Sequence, residues 1–324
     1  MGDTYETLRV AAVQASPVFL NREATTKKAC ELIKEAGRNG AKLIVFPEGF
    51  IPSHPVWYIF HAATSNVANQ MSIELFKNSV EIPSFEVDEL CKAAKAAKAY
   101  VVMGICEKLP KTTGTMYNTQ IYISPDGKYL GKHQKFMPTA AERIVHKAGN
   151  GDTFGTIDTE YGPISALTCS ENSNPLALFA LTAEGTRIHG MSWPNFWRIT
   201  GRPMREYVQI ASQNFAQVAK AFVISSCSTV DDDMIEKMQL SDKVAEQLKV
   251  SGICGGSMIV GPETELIAGP MGNEEGILYG DIDLEQCVKH KLRHDFSGHY
   301  NRGDIFQLHV NKAKSPQLYY RTEE

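Results

Sequence analysis

The chain has 324 residues, 43% of them hydrophobic and 22% charged, enough for one large domain or two ordinary ones with a sizeable core. A disordered, fibrous or disulfide-framework protein is excluded. Lys and Arg number 33 against 37 Asp and Glu, a formal net charge of -4, too balanced for a chain that coats nucleic acid or an anionic membrane; a small-molecule partner is expected.

Residues 8–15 (LRVAAVQA) form a short apolar run that predicts a strand, and 21–39 follow with helical spacing until Gly40 ends them. Residues 42–46 (KLIVF) predict a second buried strand that stops at Pro47-Glu48. A helix over 84–98, with Ser84 as N-cap, leads to a third strand over 100–106. Strands over 119–124 and 128–132 flank Pro125-Asp126-Gly127, whose residue types suit a hairpin turn. A second strand pair, 155–158 and 164–168, is expected around Tyr161-Gly162-Pro163. Helices over 174–184 and 202–220 and strands over 189–193, 221–226, 257–261 and 276–283 continue the alternation without repeat or linker. This pattern predicts one α/β domain with a mixed sheet covered by helices. Two segments depart from it: 49–82, rich in aromatics and Pro, and 231–250, a polar helical insert, both expected as excursions near a site or an interface.

No uncharged apolar stretch approaches the ~20 residues of a membrane span, and residues 1–6 are polar and acidic rather than signal-like. Cysteines at 30, 91, 106, 169, 227, 254 and 287 form no Cys-x-x-Cys pair, and the nine histidines are not read as a metal-binding cluster. Free thiols in a reducing cytoplasm, without a protein-built metal site, are the expectation.

Three residues draw attention. Cys169 is delivered by an apolar strand (ISALT) to a polar stretch, Ser170 to Asn174, from which a Pro175-led helix begins. Helix amides there favour thiolate, although free cysteine is also among the most buried residue types. Glu48, just past a hydrophobic strand, is either a solvated charge or a base in a partly dry pocket. Lys135, in GKHQKF, is either part of a solvated basic face or a fixed cation.

Taken together, Pro47-Glu48, Lys135 with Pro138-Thr139 and Glu142-Arg143, and Cys169-Ser170-Glu171-Asn172 resemble, in order and spacing, the nitrilase superfamily of carbon-nitrogen hydrolases. The segment Gly298-His299-Tyr300-Asn301-Arg302 through Asp304 and Phe306-Gln307-Leu308 is similar to the Gly-His-Tyr-Ser-Arg-Pro-Asp segment of true nitrilases. The resemblance implies a four-layer α-β-β-α sandwich with mixed sheets, a single domain over 1–284 and a tail over 285–324 that makes subunit contacts. It implies dimers that stack further, in some relatives into spirals.

It also implies catalysis by Glu48, Lys135 and Cys169 with support from Glu142, for which an ion pair with Arg143 is the competing role. Trp57, Thr139, Ser170, Asn172, Trp193 and Pro194 are expected at the substrate, with Tyr58 beside Trp57; Phe196 and Trp57 are equally ordinary core. No cofactor or metal is implied, and the reactants are an organic nitrile and water. An amidase, a carbamoylase or a hydratase stopping at amide would use the same residues, and a catalytically silent scaffold would need none of them. One position departs from the family pattern: Ser170 stands where Trp is usual, which puts the substrate profile and the acid-to-amide ratio in question.

Overall fold

In a computed structural model, residues 2–196, 202–250 and 252–314 are described. The chain starts with strand β1 (Thr7–Gln14), helix α1 (Arg22–Arg38) and strand β2 (Ala41–Val45). Helices α2 (Asn66–Asn78) and α3 (Phe85–Ala97) lead to the antiparallel run β3 (Tyr100–Lys108), β4 (Met116–Ile123) and β5 (Tyr129–Gln134). The second half repeats this plan with β6 (Ile164–Thr168), α4 (Pro175–Ala183), β7 (Ile188–Trp193), α5 (Met204–Ala219) and β8 (Phe222–Cys227). Short helices α6 (Asp232–Lys237) and α7 (Asp242–Leu248) precede β9 (Met258–Val260), β10 (Leu266–Ala268), β11 (Gly276–Asp283) and α8 (Glu285–Lys291). One sheet has the order β11-β1-β2-β3-β4-β5, with a parallel centre and antiparallel flanks, and the other β10-β9-β8-β7-β6, parallel over β6 to β8 and antiparallel beyond. Strands β1 to β5 and β6 to β10 therefore lie in the same relative order, without any matching repeat in the sequence.

The alternation of side chains assigns the layers. Along β1 and β2, Val10, Ala12, Leu43 and Val45 point between the sheets, where they meet Ala166, Ile188, Phe222 and Ile224. Ala11, Val13, Ile44 and Phe46 point the other way, under α1 and α3. Leu167, Met191 and Val223 likewise lie under α4 and α5. Helices thus cover the outer face of each sheet, which is the four-layer α-β-β-α sandwich, and strands buried on both faces read as unbroken apolar runs. Asn21 caps α1 by accepting the Ala24 N–H at 3.0 Å, and Ile33 on its inner face is fully buried, worth about 1.5–3 kcal/mol. Gly37 lets α3 come close, since a Cβ there would lie 2.5 Å from that of Ala97.

Two expectations need correction. The segment 49–82 is no simple loop: it holds a 3-10 turn, Val56–Ile59, and α2, capped by Ser65, signals masked by its Pro and aromatic content. Residues 155–158 make only an isolated bridge, Ile157 to Ile164, because Gly155 (φ +146°) leaves no run long enough to pair, and β6 pairs in parallel with β7 instead. Beyond 284, α8 buries Cys287 in the core between the sheets, and Leu308 packs on the α4–α5 side. Positions 315–324 of the expected tail lie outside the described residues. Among the described residues no helix is long and apolar enough to cross a membrane.

Candidate active site

The carboxyl ends of β2, β6 and β7 come to one end of the sandwich, the place where parallel strands commonly present ligand-binding groups. Polar contacts join the two sheets there: Ser192 Oγ donates to the Phe46 carbonyl at 2.7 Å, and the Glu48 N–H donates to the Trp193 carbonyl at 3.1 Å. Gly104 on β3 makes room for the turn that carries Glu48, because a Cβ there would fall 2.0 Å from the Pro47 carbonyl oxygen. Lys135 follows β5 directly and is fixed by its N–H donating to the Asn118 carbonyl at 2.8 Å.

Glu48, Lys135 and Glu142 form one buried cluster. The Lys135 Nζ donates to Glu48 Oε1 at 2.6 Å and to Glu142 Oε2 at 2.7 Å. Asn118 Nδ2 donates to Glu48 Oε1 at 2.6 Å and Glu142 Oε1 at 2.7 Å, and His146 Nδ1 lies 3.1 Å from Glu142 Oε1. The Thr139 N–H donates to Glu142 Oε2 at 2.7 Å, so the turn after Lys135 folds back onto the same carboxylate. Arg143, the competing partner for Glu142, instead donates through Nε to the Pro138 carbonyl. Glu48 Oε2 is buried with no hydrogen-bond partner. A carboxylate with one saturated and one open oxygen has a lone pair available for a proton.

Cys169 caps the end of β6 with a left-handed backbone, φ +54°, and begins a 3-10 turn over Cys169–Ser173. That conformation is unfavourable for a residue with a Cβ, and such strain collects at functional sites. Cys169 is 4% exposed and lines a cavity of about 510 Å³ together with Lys135, Glu142 and His54. The charges of Glu48 and Lys135 both act on its sulfur.

The electrostatics correct the expectation that this thiol ionises readily. Burial, and after it the Glu48 charge, push the Cys169 thiol up to about 12, and Lys135 offsets only part of this. Glu48 goes the other way: burial would raise it, but Lys135 and His54 together hold it below the ordinary carboxylate range. Lys135, which burial would neutralise, is kept charged by Glu48 and Glu142. The five-residue turn after Cys169 offers too little helix to reverse the balance. The resting pair is therefore thiol and carboxylate, and the gap between them exceeds the ~4 units of the free side chains.

Of the side chains expected at the substrate, Thr139, Ser170, Trp193 and Pro194 line the cavity, as do Tyr58 and Phe196. Trp57 does not: it is fully buried and packs edge-to-face on Phe19 at 6.1 Å, because the 3-10 turn sends successive side chains to different faces. Asn172 is also fully buried, and its Nδ2 donates to the Cys169 carbonyl at 2.9 Å and the Leu167 carbonyl at 3.2 Å rather than reaching the cavity.

Two site residues escaped the sequence reading. Asn118 was detectable only as a polar residue inside a strand (MYNTQIYI), a type depleted there and kept when it has buried partners. His54, in the aromatic stretch, puts Nε2 3.3 Å from Glu48 Oε1 and 3.8 Å from Glu142 Oε2. Burial lowers its basicity, but the two carboxylates outweigh that and raise it to about 9. Ligand atoms of Glu48, His54 and Glu142 lie within 4.8 Å of one another, yet the Lys135 ammonium already contacts both carboxylates, and a metal cation there would have to displace it.

A buried thiol facing an ammonium and carboxylates is chemistry suited to addition at an electrophilic carbon. The sequence profile of the carbon-nitrogen hydrolase family matches residues 9–291, and the chain belongs to this family of hydrolases acting on carbon-nitrogen bonds. Its relatives include nitrilases. It is 35% identical over 321 residues to a nitrilase of Bacillus sp., covering 97% of this chain and 91% of that protein. It is 34% identical over 325 residues to a nitrilase of Arabidopsis thaliana, covering 99% and 92%. In fold it is similar to a carbon-nitrogen hydrolase of Helicobacter pylori, with TM-score 0.72 at 18% identity over 93% of this chain and 97% of the other.

Proposed function

We propose that the cavity hydrolyses an organic nitrile to the carboxylic acid and ammonia, with Cys169 as nucleophile, Glu48 as proton carrier, Lys135 as electrostatic stabiliser and Glu142 as support. One observation carries the reading: Glu48 has one oxygen saturated by Lys135 and Asn118 and the other without a partner, and its charge acts on the sulfur of a strained, cavity-lining cysteine. Because thiol ionisation ahead of attack is so unfavourable, the sulfur loses its proton to Glu48 Oε2 as the S–C bond forms. That proton passes to the nitrile nitrogen, giving a thioimidate. Water adds to its C=N bond with one proton going to the nitrogen, Glu48 carries the remaining hydroxyl proton to the nitrogen as ammonia leaves the tetrahedral intermediate, and a thioester remains. A second water hydrolyses the thioester to acid and restores the thiol, so two waters are consumed per nitrile. Lys135 opposes the negative charge that develops in each addition, a contribution worth about 3–4 kcal/mol of barrier for one such donor.

Intact-protein mass spectrometry on mixing with a panel of nitriles, with acid, amide and ammonia measured in parallel, tests this. A single adduct on the peptide containing Cys169, with acid and ammonia formed in equal amounts, is expected. Turnover without an adduct, or an adduct on another cysteine, would contradict the assignment.

The same reading includes assembly and location. Leu176 (62% exposed), Ile210 (56%) and Phe306 (69%) leave apolar area on the α4–α5 side, which supports a homo-oligomer built from dimers and extended in the manner of spirals. The tail from 285 contributes to those contacts in this reading. Seven free cysteines support a reducing, cytoplasmic setting, with nitrile and water as the partners rather than nucleic acid or membrane.

A further inference from the structure

Behind Cys169 runs a chain of uncharged polar side chains that the chemistry above does not use. His189, on β7, is fully buried and stacks on Phe215 of α5, with ring centroids 3.7 Å apart and planes 10° apart. Its Nδ1 lies 2.6 Å from Ser165 Oγ on the neighbouring strand, and its Nε2 lies 2.8 Å from Asn172 Oδ1. Thr186 Oγ1 donates to the same Ser165 oxygen at 3.1 Å.

The directions of these bonds follow from the far end. Asn172 faces two carbonyls, those of Leu167 and Cys169, and carbonyls only accept; its NH2 group must point at them and its Oδ1 must point at His189. An acceptor facing Nε2 requires the proton there, so Nδ1 accepts from the Ser165 hydroxyl, whose oxygen accepts from Thr186. Every donor then has one acceptor, in one direction, from Thr186 to the backbone of the cysteine. Burial, with the nearby His133, also keeps His189 neutral, as a single tautomer requires.

We infer that His189 is a positioning residue for the nucleophile: by donating from Nε2 it selects the one orientation of Asn172 that clamps the carbonyls of Leu167 and Cys169 and so holds the left-handed turn presenting the sulfur. Reversed, the Asn172 amide would set its oxygen against both carbonyls and release the turn. The inference rests on Cys169 as nucleophile and adds to that reading the device that holds it in place.

Two variants separate donor from packing. The amide nitrogen of Gln reaches the place of Nε2, whereas that of Asn reaches only the place of Nδ1, so H189Q keeps the donor to Asn172 and H189N loses it. Turnover of the wild type, H189Q, H189N and C169A is measured on a nitrile substrate, with circular dichroism to count folded molecules. Expected is a kcat for H189N lower by about 10- to 100-fold, with KM within about twofold and H189Q restoring most of the loss, the size of effect a small misplacement of a reacting group produces. Wild-type kcat per folded H189N molecule, or a loss confined to KM, would overturn the inference, while persistent activity in C169A would instead overturn the nucleophile assignment. Should neither variant fold, solid-state 15N NMR of histidine-labelled wild-type enzyme decides. The His189 ring protonated on Nε2 supports the inference, and protonated on Nδ1 overturns it.

Discussion

The two sides of the site are built differently. The first half of the chain supplies a dense group of charges, in which Lys135 bridges Glu48 and Glu142 while His54 stands 3.3 Å from the first carboxylate. The second half supplies Cys169 on a turn held by Asn172 and His189 and by one carboxylate, Glu171, which accepts the Thr168 N–H at 3.0 Å. Both halves use the same strand order, so the difference lies in the side chains placed at the strand ends. Charge on one wall fixes where a proton can go, and burial of the sulfur, together with the Glu48 charge, keeps it protonated until a substrate carbon arrives.

The largest break comes from removing the reacting atoms. C169A is expected to abolish ammonia release while thermal unfolding stays near the wild type, since only a buried thiol is lost; undiminished release would refute the role of the sulfur. E48Q keeps the shape of the charged wall without its base, and a loss of about 10²–10⁴-fold in kcat is expected. Wild-type kcat in E48Q would mean that the proton goes elsewhere.

Next comes K135M, which leaves Glu48 and Glu142 buried without the ammonium they share, with His54 alone remaining near both. A loss of about 3–5 kcal/mol in denaturant stability should accompany a fall of about 10²–10³-fold in kcat. The pH dependence sharpens the contrast. Both carboxylates are held below their ordinary range, so they contribute stability that is present above the unfolded-state value near 4.5 and is lost as pH falls through the folded-state values. Denaturation at stepped pH should show the K135M variant losing less stability than the wild type as pH falls below about 4.5, because its carboxylates are no longer held as low; equal losses would contradict the account.

How far the sequence alone reaches follows the same division. Apolar runs that end at Pro47-Glu48 and at Cys169 reveal the strand ends, because both faces of these strands are buried and the transition to polar residues is abrupt. Lys135 and Glu142 are seven residues apart, and their pairing needs only the tight turn that Thr139 starts. What escapes is whatever depends on burial depth or on a partner distant along the chain. The direction of the Cys169 shift depends on how completely the sulfur is enclosed, and Asn118 gains its place only when β4 crosses both carboxylates. Trp57 misleads because a 3-10 turn separates the faces of neighbouring aromatics, leaving Tyr58 at the cavity.

Smaller effects probe the cavity's rim. W57A should cost about 3–5 kcal/mol of stability through the space it leaves, with the substrate profile unchanged; a changed ranking of nitriles would return Trp57 to the site. Ser170 is exposed on the cavity wall, with its Oγ 3.7 Å from the sulfur. S170W should reduce kcat/KM for bulky nitriles relative to small ones or change the amide fraction, and an unchanged product and substrate profile would show that the position is outside the reacting volume.

The central claim is that the resting enzyme holds a protonated sulfur beside an ionised Glu48. Thiolate absorbance near 240 nm, taken as the difference between the wild type and C169A from pH 6 to 10, measures it directly. No difference band is expected anywhere in that range, whereas a band of one thiolate per chain at pH 7 would contradict the account.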